Sequence, residues 1–109
     1  MTVTELQQAL SLTPVALPEG DREVEGVYIG DLLSWVMGRA QSGNVWLTIM
    51  SNLNIAAVAT LSDVSCILLC EGVTLDESVK TTAETKGINV LSTEMTTYEA
   101  AKRLAELGL

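Results

Sequence analysis

From Val45 to Leu61 the chain runs an apolar strand, a turn of amide and hydroxyl side chains, and then an apolar helix, and the same order recurs twice more. In the first copy Val45-Trp46-Leu47-Thr48-Ile49 gives way to Ser51-Asn52-Leu53-Asn54, and Ile55-Ala56-Ala57-Val58-Ala59 begins the helix. The second copy places Cys66-Ile67-Leu68-Leu69 before Cys70-Glu71-Gly72 and a helix with Leu75, Val79 and Ala83 at four-residue spacing, ending near Lys86-Gly87. The third sets the short strand Ile88 to Leu91 before Thr96-Thr97-Tyr98-Glu99, which caps a last helix that Gly108 stops. Strands joined by helices of this length pair in parallel through right-handed crossovers. Because both faces of Val45 to Ile49 are mostly apolar, the sheet is covered on two sides. The fold expected is therefore α/β, a three-layer sandwich with a mostly parallel sheet, formed as one domain over residues 1–109.

The remaining elements are read from caps and breakers. Thr4-Glu5-Leu6-Gln7 and Thr2-Val3-Thr4-Glu5 both have the form of a capping box, so a helix over about Glu5 to Leu10 has two possible starts. Thr13 to Leu17 reads as a strand ended by Pro18-Glu19-Gly20-Asp21, and Val24 to Ile29 as another, broken by Gly30. Asp31 is placed to cap a helix reaching Ala40, with Leu32, Leu33, Val36, Met37 and Ala40 on its inner face. Trp35 projects away from that stripe, so either a second surface covers it or it stands exposed; Trp is enriched at interface cores, which makes Trp35 the candidate contact of a homodimer. A further capping box is expected at Thr74 to Glu77. In the last helix Tyr98, Ala101, Leu104 and Ala105 are expected inward.

Charge and residue types exclude several function classes. Among 109 residues there are 14 acidic and 6 basic side chains, a formal charge of −8, and no basic stripe. Such a surface repels nucleic acid and anionic lipid. No apolar run approaches the ~20 residues of a membrane helix, and the N-terminal residues lack a basic leader region; a cytoplasmic location is expected. The chain contains no histidine, which removes Ser-His and Cys-His catalysis and imidazole metal sites. Cys66 and Cys70 share a spacing that puts them on one strand face, but without further ligands they read as two small buried side chains. Gly38-Arg39-Ala40-Gln41-Ser42-Gly43 is followed by Asn44 and fails the phosphate-loop pattern, and Gly26 and Gly30 flank a strand instead of following one. No cofactor, no metal and no catalytic residue is assigned.

What remains is a row of polar turns at strand ends, where open α/β sheets bind ligands. Ser51, Asn52, Asn54, Cys70, Glu71, Gly72, Thr93, Thr96 and Thr97 fall there, and free N–H groups of helix N-termini favour a small anion. The same side chains serve equally to cap helices and satisfy turns.

The run Gly26-Val27-Tyr28-Ile29-Gly30-Asp31-Leu32-Leu33-Ser34, the approach to Asn54-Ile55-Ala56-Ala57-Val58-Ala59, and Ile67-Leu68-Leu69-Cys70-Glu71-Gly72 together resemble the DRTGG domain family, itself similar to the N-terminal domain of HPr kinase/phosphorylase. The resemblance spans about Thr4 to Leu107. It implies a small three-layer α/β domain that is regulatory or oligomer-forming and not catalytic, alone or fused to CBS domains or phosphotransacetylases. The family's Asp-Arg pair falls near Ser51-Asn52, where both charges are missing, and its Thr-Gly-Gly matches Cys70-Glu71-Gly72, where only the last glycine survives. Before the last helix its Asp-Thr-aromatic becomes Thr96-Thr97-Tyr98. The resemblance therefore carries over a fold and not a binding site. Two functions follow as expectations: a non-enzymatic, homodimeric regulatory or protein-interaction domain with an unidentified protein partner, or a sensor of a small anionic or nucleotide-like ligand at the polar strand ends.

Overall fold

The computed structural model describes residues 1–109. Helix α1 (Val3–Ala9) leads into β1 (Thr13–Ala16), and β2 (Val27–Ile29), β3 (Val45–Thr48), β4 (Cys66–Leu69) and β5 (Val90–Ser92) follow. Helices α2 (Leu33–Arg39), α3 (Asn54–Ser62) and α4 (Glu77–Thr85) lie between successive strands, and α5 (Thr97–Glu106) comes last. The sheet has the order β1-β5-β4-β3-β2, with β2 to β5 parallel and β1 antiparallel to β5.

That order decides the layers. Each step from β2 to β5 moves one place in the same direction, so right-handed crossovers must put α2, α3 and α4 on one face. Val36, Ile55, Val58, Ala59, Val79 and Ala83 accordingly pack with Trp46, Ile67, Leu69 and Val90 in one core. The alternate strand residues Val45, Leu47, Cys66, Leu68 and Leu91 face a second core closed by Val3 and Leu6 of α1 and Ala100 and Leu104 of α5. The expected three layers and mostly parallel sheet are both present.

Several local expectations are corrected. Of the two capping boxes Thr2 forms the real one: its hydroxyl accepts from the Glu5 N–H at 3.1 Å while Glu5 accepts from the Thr2 N–H at 2.8 Å. The strand expected from Val24 shrinks to three residues, because Val24 N–H is drawn to Met1 C=O and Gly26 turns the chain at φ +75°. Asp31 does not cap α2; Leu32 occupies that position with no side-chain bond. In α2 only Leu33, Val36 and Ala40 face inward, and Leu32 and Met37 are exposed. The box at Thr74 to Glu77 is absent, since α4 starts from Asp76 without a side-chain cap. Thr96 does cap α5, accepting from the Glu99 N–H at 3.2 Å. Of the residues expected inward on that helix, Leu104 is buried and Ala101 packs against the core beside the buried Ala100, while Tyr98 and Ala105 are exposed.

Candidate functional site at the carboxyl edge of the sheet

Four parallel strands end at one edge, so the turns after β2, β3, β4 and β5 share it. All nine residues expected at this edge lie there. They do not form one cluster. Asn52 accepts from the Asn54 N–H at 2.9 Å, an amide closing its own turn, and Ser51, Asn52 and Asn54 are exposed beyond β3.

The turns after β4 and β5, by contrast, are laced together. Glu71 N–H donates to Met95 C=O at 2.8 Å, Gly72 N–H to Thr93 C=O at 2.9 Å, and Thr93 N–H to Leu69 C=O at 2.9 Å. The Thr93 hydroxyl accepts from the Met95 N–H at 3.2 Å. Gly72 adopts φ +74°, the left-handed region that favours glycine, and the nearest atom to a Cβ there would be the tip of the flexible, exposed Glu94 side chain, which can move aside. Glu71 adopts the left-handed conformation at φ 61° where the family carries glycine. Here the helix after β4 crosses one face and the helix after β5 the other, the topology at which open sheets form a crevice. The backbone bonds tie the two turns together across that point.

The chemistry of the edge is acidic and apolar. Asp31, Glu71, Asp76 and Glu94 occur in these turns, and no Lys or Arg does. Asp31 accepts from the Thr48 hydroxyl at 2.8 Å and the Ile49 N–H at 3.0 Å, fastening the end of β2 to the end of β3. Thr48 is buried, and it also accepts from the Met50 N–H at 3.1 Å. Cys70 is buried, and burial pushes its thiol up, with Glu71 and Asp31 adding to the rise and a bond from Thr97 opposing it. A nucleophilic cysteine requires the thiolate, which this setting disfavours. Cys66, fully buried, is pushed up to about 12 by the same cause.

The Asp31–Thr48 clip gave no local signal in the sequence, because its seventeen-residue spacing means nothing before β2 and β3 are known to be neighbours. Also missed were the exposed apolar residues beside it. Ile29, Leu32, Ile49 and Leu53 are about half exposed at the β2–β3 corner. Trp35 on α2 is 52% exposed, with the Arg39 guanidinium 3.8 Å from its ring centroid. Of the two alternatives for Trp35, exposure is the one the fold realises. That placement leaves the indole body uncovered on one side, and the cation–π contact with Arg39 covers the other.

The family model of the DRTGG domain matches residues 15–107. Among solved structures the chain is similar to the CBS and DRTGG domains of the regulatory region of Clostridium perfringens pyrophosphatase, complexed with the activator diadenosine tetraphosphate. The TM-score is 0.71 at 16% identity, covering 93% of this chain and 44% of that one. At that identity the likeness is one of fold. No curated protein matches the chain. No helix is long and apolar enough to cross a membrane.

Proposed function

We propose that this chain, which belongs to the DRTGG domain family, is a non-catalytic regulatory domain that acts through contacts between protein chains, first of all with a second copy of itself. The observation that carries the reading is the set of exposed apolar residues in the turns after β2 and β3 (Ile29, Leu32, Ile49 and Leu53), with Trp35 exposed on α2. Exposed apolar clusters rimmed by polar residues mark interaction surfaces. In the polar turns, by contrast, Asn52, Thr93 and Thr96 each accept from the backbone of their own turn. The likeness to the N-terminal domain of HPr kinase/phosphorylase belongs to this same reading, with neither a phosphate loop nor a nucleophile–base pair to carry catalysis.

Light scattering over a concentration series tests it. A mass of two chains at high micromolar protein, falling on dilution, is expected. A single chain's mass throughout rejects self-association.

A second reading has its own support. Ser51, Asn52, Asn54, Glu71, Gly72, Thr93, Thr96 and Thr97 lie in separate turns along one edge of the sheet, and the regulatory region to which the fold is similar was solved with its activator diadenosine tetraphosphate. On this reading the edge senses a nucleotide-like ligand. The four acids and the absence of Lys or Arg mean that a polyphosphate would need a divalent cation to bind there. A thermal-shift panel of nucleotides with and without magnesium tests it. At ~100 times its dissociation constant a ligand adds about 2.7 kcal/mol and raises the melting temperature by roughly 10 °C. Replacing Asn52 and Glu71 must abolish that shift without unfolding the domain; a flat panel removes the sensor.

A further inference from the structure

The geometry points to the free edge of β2 as the interface of a two-fold dimer, in which Val27–Ile29 pairs antiparallel with the same segment of a second copy and the two five-stranded sheets become one. It rests on the self-associating reading above and gives that reading its interface.

The two edges of the sheet are built differently. The outer strand β1 carries Pro14, and its register with β5 shifts between Pro14 and Ala16. A proline and a bulge are the devices that keep further strands from adding to an edge. At the opposite edge Val27-Tyr28-Ile29 has no proline, no lysine and no bulge, and its residues are β-branched or aromatic.

The backbone of that edge is free to pair. Gly26 C=O accepts from Val45 N–H at 2.9 Å and Gly30 N–H donates to Leu47 C=O at 3.2 Å. In a parallel pair alternate residues face the neighbour, so Gly26, Tyr28 and Gly30 serve β3, and the N–H and C=O groups of Val27 and Ile29 point outward. This arrangement is self-complementary: with the two-fold axis at Tyr28, Val27 of one protomer exchanges hydrogen bonds with Ile29 of its partner, and the reverse pair is identical. Isologous contacts of this kind close as dimers and do not propagate.

The exposed side chains fit the same occupant, and charge opposes it. Ile29 is 50% exposed, and Leu32, Trp35, Ile49 and Leu53 are exposed to a similar degree. Together they offer on the order of 500 Å² of apolar surface, the larger part of the ~800 Å² per partner that a stable interface buries. In this register Glu25 falls across from Asp31 of the partner subunit. Asp31 is drawn inward onto Thr48 and Ile49, which weakens that like-charge opposition. Because each copy carries −8, added salt should strengthen association.

The test compares wild type with Ile29→Lys and Ile29→Pro by sedimentation and light scattering, and follows amide hydrogen exchange at Val27 and Ile29. The proline removes an N–H that β3 does not use, and the lysine leaves the backbone untouched, so it decides alone if the proline variant fails to fold. A dimeric wild type is expected, with dissociation constants at least tenfold weaker in both variants, unchanged circular dichroism, and amides at Val27 and Ile29 that lose protection on dilution. If wild type is dimeric and Ile29→Lys equally so, the dimer reading stands and the β2 interface is overturned. If wild type is monomeric even at ~1 mM, where association would be weaker than about 4 kcal/mol, both fall together.

Discussion

Asn89 is 2% exposed and uses its whole side chain. Its carbonyl accepts from the Glu19 N–H at 2.9 Å, and its amide donates to Glu19 C=O at 2.8 Å and to Ser65 C=O at 3.0 Å. The side chain thus imitates a strand neighbour, joining the turn after β1 to the entry of β4 and β5 across seventy residues of sequence. Asn89→Ala deletes all three bonds. Glu19 is exposed, so water can reach its backbone in the variant; the Ser65 carbonyl lies in a buried residue and is left without that bond. A net ~1 kcal/mol for each rehydrated bond is too generous, and the buried carbonyl costs more, so the total is about 2–3 kcal/mol. That is a large part of the 5–15 kcal/mol typical of a domain, and at roughly 4 °C per kcal/mol for this length it lowers the melting temperature by about 10 °C. Urea unfolding followed by circular dichroism reads the loss as a lower midpoint at constant slope. Asn89→Asp separates the two causes that alanine mixes. It keeps the shape but presents a carboxylate to two carbonyls, so it should cost at least as much as alanine if hydrogen bonding dominates. An alanine variant within 0.5 kcal/mol of wild type, or an aspartate variant as stable as wild type, would refute the reasoning.

Glu71→Gly should raise stability by about 0.5–1 kcal/mol, since it relieves a left-handed non-glycine residue at some cost in unfolded-chain entropy, while Glu71→Val should lower it; chemical denaturation that reverses this order rejects the strain argument. The Ser42 hydroxyl, aided by Arg22 and opposed by slight burial, holds the Asp63 carboxyl below its ordinary value. A lowered folded value contributes stability that is present above the ordinary carboxylate range and lost as pH falls through the folded value, so Asp63→Asn should flatten stability against pH below about 4; an unchanged acid limb rejects it. Cys66, pushed up to about 12 by burial, should resist alkylation in the native protein at mildly alkaline pH and react at once in denaturant, and rapid native labelling, resolved by mass spectrometry of peptides, would show the β4 core to be open.

The parts of the fold legible in sequence are those written in local periodicity. Val45 to Ile49 and Cys66 to Leu69 are apolar on both faces because helices cover both, and the structure buries β3 and β4 completely. The Thr96 cap depends on residues within one turn and was found where the sequence put it. Errors gathered where a side chain had a distant alternative. Asp31 could bond the helix just ahead of it or the strand end eighteen residues on, and only the parallel pairing of β2 with β3 brings Thr48 and Ile49 within reach. For α5, the sheet beneath decided which residues turn inward, burying Ala100 and Leu104 and leaving Tyr98 exposed. The predicted site was legible as an edge and not as a pocket, because the lacing of the Glu71 and Thr93 turns is made by backbone groups common to every residue type.

The sequence by itself determined the element types, the two apolar faces of the central strands, the acidic surface and the absence of histidine chemistry. Each of these is set by side-chain character at short range. Only the tertiary structure decided the strand order, and with it which edge is guarded by Pro14 and which is left open at Val27 and Ile29. An edge is defined by the neighbour a strand lacks, and no stretch of chain records what will fail to pack beside it.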